Sequence, residues 1–376
     1  MNVQLIAILA VAALLAFANG ANDVSKGVAT LVGSGVADYR KAILWGTAFT
    51  AAGGLLAVFF AGALLSTFGS GVIASGVKPT LTAALATLAG AAAWVAIATR
   101  TGLPVSTTHA LVGALTGVAA VAYGSEAVRW SALGGKVLLP LLASPLASFL
   151  VTSLALRSTG SRSAGPGAVA DCACAELSPA VLAAGAGRVA AVAMASGPSL
   201  RVYTGGKEAC AEARPALRVT LDHLHWLSSG ATSLARGMND APKIVALALA
   251  AAALAPGARV SAPVLYAAVV AGMALGSLVA GRRVTHVLAE KVATMDHRDG
   301  LAANLATAVL VTVGAVQGLP MSTTHVASGG IAGAGARRRA LRARTLRDIA
   351  LAWVVTLPGA ALLGTAAYGI ARAVQG

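Results

Sequence analysis

Two short motifs in this sequence each occur twice in similar form, and their spacing indicates how the chain is organised. Residues 20–29 read GANDVSKGVA and residues 237–246 read GMNDAPKIVA, while residues 102–110 read GLPVSTTHA and residues 318–326 read GLPMSTTHV. The two pairs are offset by 217 and 216 residues. Two unrelated motifs that recur in the same order at nearly one offset indicate an internal duplication.

The composition indicates that the solvent of this chain is a lipid bilayer. Of its 376 residues, 57% are hydrophobic and 11% are charged, whereas soluble proteins carry about 25% charged residues. This predicts an all-α integral membrane protein. The net charge of +15 does not indicate nucleic-acid binding, because Lys and Arg cluster in the short breaks between apolar runs. We expect the bilayer, and no nucleic acid, as a partner.

The apolar runs form two groups of five around a polar central segment. Crossing the bilayer takes about 20 apolar residues. We therefore expect a first membrane repeat at 1–156, a small soluble insert at 157–220 and a second membrane repeat at 221–376. Within the insert, Val189–Ala195 and Leu200–Tyr203 are predicted as strands. The apolar runs lie near 3–36, 42–65, 79–100, 104–123 and 131–156, then near 221–256, 262–281, 299–317, 319–336 and 348–373.

The charges between the runs predict the orientation. Five spans per repeat is an odd number, so the second repeat enters the bilayer from the opposite side. With the N-terminus outside, the inner loops contain Arg40–Lys41, Arg100, the insert, Arg282 to Arg298 and Arg337 to Arg347, and the outer loops contain Lys78, Arg129 and Arg259. This bias follows the positive-inside rule. We therefore expect a multi-pass cell-membrane protein with both termini outside, a cytoplasmic insert and inverted repeats, which are typical of secondary transporters.

The first motif places an Asn-Asp pair inside an apolar run of each repeat, at Asn22–Asp23 and at Asn239–Asp240. A carboxylate at the bilayer centre costs about 2.5–3.5 kcal/mol on insertion scales. We expect Gly20 and Gly237 to break the two helices, because broken helices expose backbone groups only where they line a polar cavity.

A lysine follows each aspartate by three residues, at Lys26 and Lys243. Each ammonium group either pairs with its own carboxylate, which neutralises both charges, or faces a bound anion. The sequence leaves both roles open, and we expect a mixed role.

The second motif reads as a helix stop followed by a helix start. Proline is tolerated in the first turn of a helix, and Ser and Thr cap its free N–H groups. The positive end of the helix dipole together with the hydroxyls suits a tetrahedral oxyanion. Two such helix starts approaching from opposite sides predict one anion site lined by Ser106, Thr107, Thr108, Ser322, Thr323 and Thr324.

Two features of this motif stay open. The region 79–123 forms either two full spans or one span and a re-entrant hairpin. His109 and His325 end the two STTH sequences, where capping or packing is as consistent as proton transfer.

Other classes of function are less consistent with these motifs. A channel needs a continuous polar lining, whereas the polar groups here are concentrated in two compact motifs, so an anion channel is the weaker alternative. We expect no enzyme and no cofactor, because the sequence contains no HExxH motif and no convincing nucleophile–base pair. Cys172, Cys174 and Cys210 lack a fourth ligand for a structural metal, so we expect free thiols and no metal. Self-association is left open.

These residues resemble the inorganic phosphate transporter family of secondary phosphate permeases. Its members carry a GANDVAN-like signature and a P-x-S-T-T-H motif in each of two inverted halves, and the resemblance covers both membrane repeats. It implies that inorganic phosphate is imported by alternating access together with a cation. It also implies that the phosphate is surrounded by Asp23, Ser106, Thr107, Thr108, Asp240, Ser322, Thr323 and Thr324.

The resemblance bears on the coupling ion as well. Asn22 and Asn239 would help to bind the cation or shape the helices. Sodium-coupled members usually place Asn three residues after the Asp, where this chain has Lys26 and Lys243. A fixed ammonium group there replaces a bound Na⁺, so H⁺ is the expected coupling ion and Na⁺ the alternative.

The substrate has one alternative, because some relatives resemble sulfate permeases. Sulfate and phosphate are both tetrahedral, but only hydrogen phosphate offers a hydrogen-bond donor. Asp23 and Asp240 are acceptors for that donor when ionised, which favours phosphate. A sulfate or other oxyanion permease of the same fold is the alternative function.

Overall fold

Apolar helices make up most of the protein. The computed structural model describes residues 3–60, 62–70, 72–158, 172–178, 199–205, 217–257 and 259–375. Before the insert lie α1 (Val3–Gly33), α2 (Tyr39–Phe60), α3 (Gly62–Ser70), α4 (Leu81–Thr101), α5 (Thr107–Tyr123) and α6 (Trp130–Ser158). After the insert lie α7 (Leu221–Ala253), α8 (Ala262–Ala280), α9 (Arg282–His286), α10 (His297–Val316), α11 (Thr323–Arg337) and α12 (Ala343–Gln375). A 3₁₀ turn lies at Ser125–Ala127, and π-helical turns lie at Leu133–Leu138 within α6 and at Val287–Lys291 after α9.

Seven of the described helices are long and apolar enough to cross a membrane, namely α1, α2, α4, α6, α8, α10 and α12. The other predicted spans form helices that differ from these in length or charge. α5 has 17 residues and α11 has 15, while the 33-residue α7 contains Arg236, Asp240 and Lys243. The expectation of an all-α membrane protein is confirmed.

The predicted helix breaks at Gly20 and Gly237 are wrong. α1 and α7 continue through both glycines without interruption. The two glycines are needed for close packing instead. A Cβ atom at Gly20 would lie 1.9 Å from the carbonyl oxygen of Met273 in α8, and one at Gly237 would lie 2.1 Å from that of Thr50 in α2. Small residues let membrane helices approach in this way.

The second motif forms a tight turn between two helices in each half. Gly102 and Gly318 adopt φ angles of 76° and 73°, a left-handed conformation that favours glycine after a helix end. Ser106 and Ser322 then cap α5 and α11. In the first half, the backbone carbonyl of Leu103 in this turn accepts a hydrogen bond from Asn22 of α1. This contact favours a hairpin that ends inside the helix bundle.

Helices of the two halves interleave. α1 packs against α8, and α2 packs against α7. α6 packs against α11, and α12 packs against both α4 and α5. Each half therefore supplies the final helix that supports the hairpin of the other half.

The described part of the insert contains three strands, β1 (Cys172–Ser178), β2 (Ser199–Gly205) and β3 (Leu217–Thr220). β1 is central and pairs antiparallel with β2 and β3. The predicted strand at Leu200–Tyr203 lies within β2 and is confirmed, whereas Val189–Ala195 lies outside the described residues.

The expectation of free thiols is wrong for Cys172 and Cys174, because neither side chain is a free thiol in the structure. The two residues are two apart on β1, so their side chains share one face of the strand. Their Sγ atoms lie 3.4 Å apart, which is too far for a bond between the two. Cys210 lies outside the described residues.

Candidate functional site

The two hairpin turns meet at the centre of the protein and are joined by reciprocal hydrogen bonds. The Thr324 hydroxyl donates to the backbone carbonyl of Val105 at 2.7 Å, and the Thr108 hydroxyl donates to that of Met321 at 3.3 Å. The two carbonyls belong to corresponding positions of the duplicated motif, as do the two threonines. The starts of α5 and α11 are therefore brought together, as the sequence predicted.

The first residue of each STTH sequence is a helix cap. Ser106 Oγ accepts the backbone N–H of His109 at 3.2 Å, and Ser322 Oγ accepts that of His325 at 3.2 Å. These bonds satisfy free donors of the first turn. They fix the starts of α5 and α11, which are the helix ends that carry a partial positive charge.

Asp23 lies within hydrogen-bonding distance of three side chains. Its carboxylate is 2.6 Å from Lys26 Nζ, and it accepts hydrogen bonds from Asn19 Nδ2 at 2.9 Å and from Thr107 Oγ1 at 3.2 Å. Thr107 is 84 residues away in sequence. The predicted convergence of the two motifs is therefore present in the first half.

Asp240 lies in a corresponding environment with one addition. It accepts a hydrogen bond from Asn239 Nδ2 at 2.9 Å and one from Asn19 Nδ2 at 3.2 Å. Lys243 Nζ lies 3.3 Å and Arg236 Nε lies 3.8 Å from its carboxylate. Asn19 thus contacts both carboxylates.

Each lysine ammonium group is surrounded by oxygen atoms. Lys26 Nζ lies 2.6 Å from Asp23 Oδ1 and 2.7 Å and 2.9 Å from the side-chain and backbone oxygens of Asn22. Lys243 Nζ lies 2.8 Å from Thr108 Oγ1, 3.0 Å from the carbonyl oxygen of Met321 and 3.3 Å from Asp240 Oδ1. Both lysines therefore pair with their own aspartates, one of the two roles that the sequence left open.

The two asparagines of the Asn-Asp pairs fasten the hairpin turns to α1 and α7. Asn22 Nδ2 donates to Thr99 Oγ1 and to the carbonyl oxygen of Leu103, both at 3.0 Å. Asn239 Nδ2 donates to the carbonyl oxygen of Met321 at 3.0 Å. These contacts fit the predicted site-shaping role.

Two residues at this centre were missed by the sequence analysis, Asn19 and Arg236. Each lies four residues before the aspartate of its repeat. Arg236 is fully buried and donates to Asn19 Oδ1 at 3.2 Å and to Thr50 Oγ1 at 3.2 Å. An arginine within the apolar run 221–256 was the signal that could have found it.

The centre contains more positive than negative groups. Lys26, Arg236 and Lys243 face Asp23 and Asp240, and all five residues are at most 3% exposed. Buried charges are stable only when paired. Three cations and two carboxylates in their ordinary states leave one positive charge that a small anion would balance.

The two histidines lie beside this centre, where the two halves meet. The rings of His109 and His325 have centroids 4.7 Å apart, and the ring of His325 lies 3.8 Å from that of Trp353. Both histidines are buried. Their ring contacts fit the packing role that the sequence left open.

Charged residues inside membrane helices typically mark a substrate or ion pathway. Here they lie between two helix starts suited to an anion, within a bundle of apolar helices. The fold and the site together define a multi-pass membrane transport protein.

The family follows from comparison with known proteins. The model of a family described as the phosphate transporter family matches residues 19–364. The chain therefore belongs to the phosphate transporter family, which confirms the resemblance inferred from the two motifs.

Individual proteins agree with this assignment. The chain is 28% identical over 395 residues to a putative phosphate permease of Pyrococcus abyssi, and the match covers 95% of each chain. It is 28% identical over 377 residues to a probable low-affinity inorganic phosphate transporter of Rhizobium meliloti, covering 97% of this chain and 95% of the relative.

A solved structure described as the sodium-dependent phosphate transporter has the same fold. It matches with a TM-score of 0.76 at 20% identity, covering 99% of this chain and all of that one.

Proposed function

We propose that this protein imports inorganic phosphate together with a coupling cation, which we expect to be H⁺. The observation that carries the proposal is the composition of the buried centre, where three basic side chains face two carboxylates. When all five groups are charged, the centre holds one net positive charge, which a nearby anion would balance. Membership of the phosphate transporter family and the names of the relatives support phosphate as that anion.

The proposed phosphate site lies between the starts of α5 and α11. Free N–H groups and hydroxyls at helix starts are donors suited to an oxyanion. The hydroxyls of Thr108 and Thr324 now donate to backbone carbonyls, and binding exchanges such bonds for bonds to phosphate. The residues proposed to surround it are Asp23, Ser106, Thr107, Thr108, Asp240, Ser322, Thr323 and Thr324.

Two carboxylates beside the site favour phosphate over sulfate. Hydrogen phosphate carries a proton that Asp23 or Asp240 accepts in a hydrogen bond. Sulfate has no such proton, so its oxygens would face the carboxylates with no hydrogen bond to offset the repulsion. A net positive charge alone attracts both phosphate and sulfate, whereas the two carboxylates favour phosphate.

The lysines support H⁺ as the coupling ion. Each ammonium group occupies a place surrounded by three oxygens, at Lys26 and at Lys243. A metal cation in the same place would meet a like charge a few ångströms away, which is strongly repulsive in a site of low dielectric constant. The sodium dependence stated for the similar solved structure supports Na⁺ as the alternative.

The proposed cycle is alternating access between two inverted repeats, 1–156 and 221–376. Phosphate enters from outside, binds between the hairpin turns and leaves to the cytoplasm when one repeat rocks against the other. The Thr108–Met321 and Thr324–Val105 bonds join the two repeats and must exchange during this motion. In this orientation both termini are outside and the insert at 157–220 is cytoplasmic.

Uptake of labelled phosphate by purified protein in liposomes, with and without excess sulfate, tests the substrate. Saturable phosphate uptake that sulfate does not inhibit supports the proposal. Transport of sulfate in place of phosphate would make the protein a sulfate permease of the same fold. Flux that rises without saturation would indicate a channel.

A further inference from the structure

A cavity lined by charged side chains lies outside the buried centre, at the end of α4. Its volume is about 700 Å³, within the range of small-molecule sites. The start of α2, the end of α8 and the segment 282–290 form its other walls. Its charged and titratable residues are Tyr39, Arg100, Arg282, Arg283, His286 and Glu290.

The cavity is positively charged. Three arginines face one carboxylate, Glu290, which accepts a hydrogen bond from the hydroxyl of Tyr39 and lies 3.3 Å from His286 Nδ1. The hydrogen bond from Tyr39 holds the pKa of Glu290 below its usual value. Glu290 therefore stays ionised at neutral pH, and the arginines still outnumber it.

Contacts with the walls hold two of the arginines in place. The guanidinium group of Arg282 lies 5.1 Å from the ring centre of Tyr39, a distance suited to a cation–π interaction. The guanidinium group of Arg283 donates to the backbone carbonyl of Arg100 at the end of α4. The positive charge is thus fixed at the wall of the cavity.

One residue connects the cavity to the buried centre. Thr99 lines the cavity, and its Oγ1 accepts a hydrogen bond from Asn22 Nδ2 at 3.0 Å. Asn22 in turn contacts Lys26 at 2.7 Å. The cavity is therefore separated from the Asp23–Lys26 pair by two side chains.

At the other hairpin turn, a contact between neutral groups corresponds to the contact between Arg283 and Arg100. There the hydroxyl of Thr67 in α3 donates to the backbone carbonyl of Gly318 at 3.1 Å, in the way that Arg283 donates to Arg100. The position that corresponds to Arg100 in the second repeat is Val316. The two turns thus differ in charge, and the cavity beside the charged one lies toward the face that the positive-inside rule assigns to the cytoplasm.

We propose that this cavity is a second binding site for a phosphate group, occupied by inorganic phosphate after it leaves the buried centre. The inference rests on the proposed function, since it takes phosphate as the transported anion. Guanidinium groups match phosphate oxygens in geometry and charge. A positive cavity concentrates anions and speeds their exchange with a neighbouring site.

The test removes the charge of the cavity and leaves the buried centre unchanged. Arg282→Gln/Arg283→Gln is the test variant. Arg40→Gln/Lys41→Gln is the matched control, because both residues are exposed at the start of α2 and neither lines the cavity. Equilibrium binding of labelled phosphate in detergent and phosphate uptake in liposomes are measured for each.

We expect two phosphate-binding events in the wild-type protein and the loss of the weaker one in the test variant. Its uptake rate should fall about tenfold, while the control behaves as wild type. Glu290→Gln should have the opposite effect and tighten the weaker binding event, because it removes the like charge. A test variant that binds and transports as the control does would overturn the proposal.

Two further results distinguish this inference from the proposed function and from the binding of a lipid phosphate group. If the wild-type protein takes up no phosphate, the proposed function fails; if wild-type uptake is normal and only the Arg282/Arg283 effect is absent, this inference alone fails. A lipid phosphate group is the other source of the same chemistry. Phosphatidylglycerol that stays bound to wild type but not to the test variant in native mass spectrometry, and that blocks phosphate binding, would overturn inorganic phosphate as the occupant.

Discussion

The guanidinium group of Arg236 donates to the side-chain oxygen of Asn19 at 3.2 Å, and the two residues occupy the same position in the two copies of the motif. One copy has a neutral amide where the other has a charge. The remaining charged positions match as pairs, Asp23 with Asp240 and Lys26 with Lys243. Arg236 therefore accounts for the surplus positive charge of the centre.

Removing the charge of Arg236 should weaken phosphate binding more than it weakens the fold. Arg236→Gln leaves two ammonium groups facing two carboxylates, so the centre stays balanced without an anion. We expect the KM for phosphate to rise about tenfold to a hundredfold, the range for a lost charged hydrogen bond. Arg236→Lys should recover part of the loss, and the exposed Arg129→Gln should have no effect. An unchanged KM in Arg236→Gln would contradict this source of the anion attraction.

Asp23→Asn and Asp240→Asn should each abolish uptake while the protein still inserts into the membrane. Each change removes the carboxylate charge proposed to accept the substrate proton and leaves a buried lysine without its charged partner. Membrane-fraction abundance and phosphate uptake are the two measurements, with the exposed Asp38→Asn as control. Normal uptake in both variants would remove the carboxylates from the site.

Exchanging a lysine of the centre for asparagine should change the response to sodium. Lys26→Asn removes the tethered ammonium group but keeps the Asp23 and Asn22 oxygens that surround it. We expect uptake to fall and to be partly restored by Na⁺, with Lys41→Asn as the exposed control. Uptake by the wild-type protein that already requires Na⁺ would contradict the role given to the lysines.

The meeting of the two motifs could be predicted from the sequence, because charged and hydroxyl groups inside apolar runs are stable only together. Asp23 and Thr107 illustrate this, since they are 84 residues apart and form a hydrogen bond. The lysine pairing was also one of the predicted alternatives, because residues three apart share a helix face.

Two features could not be obtained in the same way. A glycine inside a helix is consistent with a break and with close packing, and only the position of the neighbouring α8 shows that Gly20 serves packing. Asn19 and Arg236 differ in residue type, so the duplication did not draw attention to their shared position. Their importance comes from a contact between the repeats that no single repeat contains.

The packing role of Gly20 gives a prediction for stability. Gly20→Ala places a methyl group against the backbone of α8, where a Cβ atom would lie 1.9 Å from an oxygen. Overpacking of this kind costs about 1–3 kcal/mol. Gly369→Ala is the matched control, because it makes the same change in a helix where a Cβ atom meets nothing within 4 Å. Thermal unfolding in detergent should show a lower midpoint for Gly20→Ala only, and equal midpoints would contradict the close approach.

Phosphate accumulation in liposomes that contain the purified protein, under a proton gradient or a sodium gradient applied separately, tests directly whether the protein couples phosphate import to H⁺. We predict that a proton gradient drives labelled phosphate inward against its concentration gradient and that a sodium gradient alone does not. Accumulation driven by sodium and indifferent to pH would contradict it.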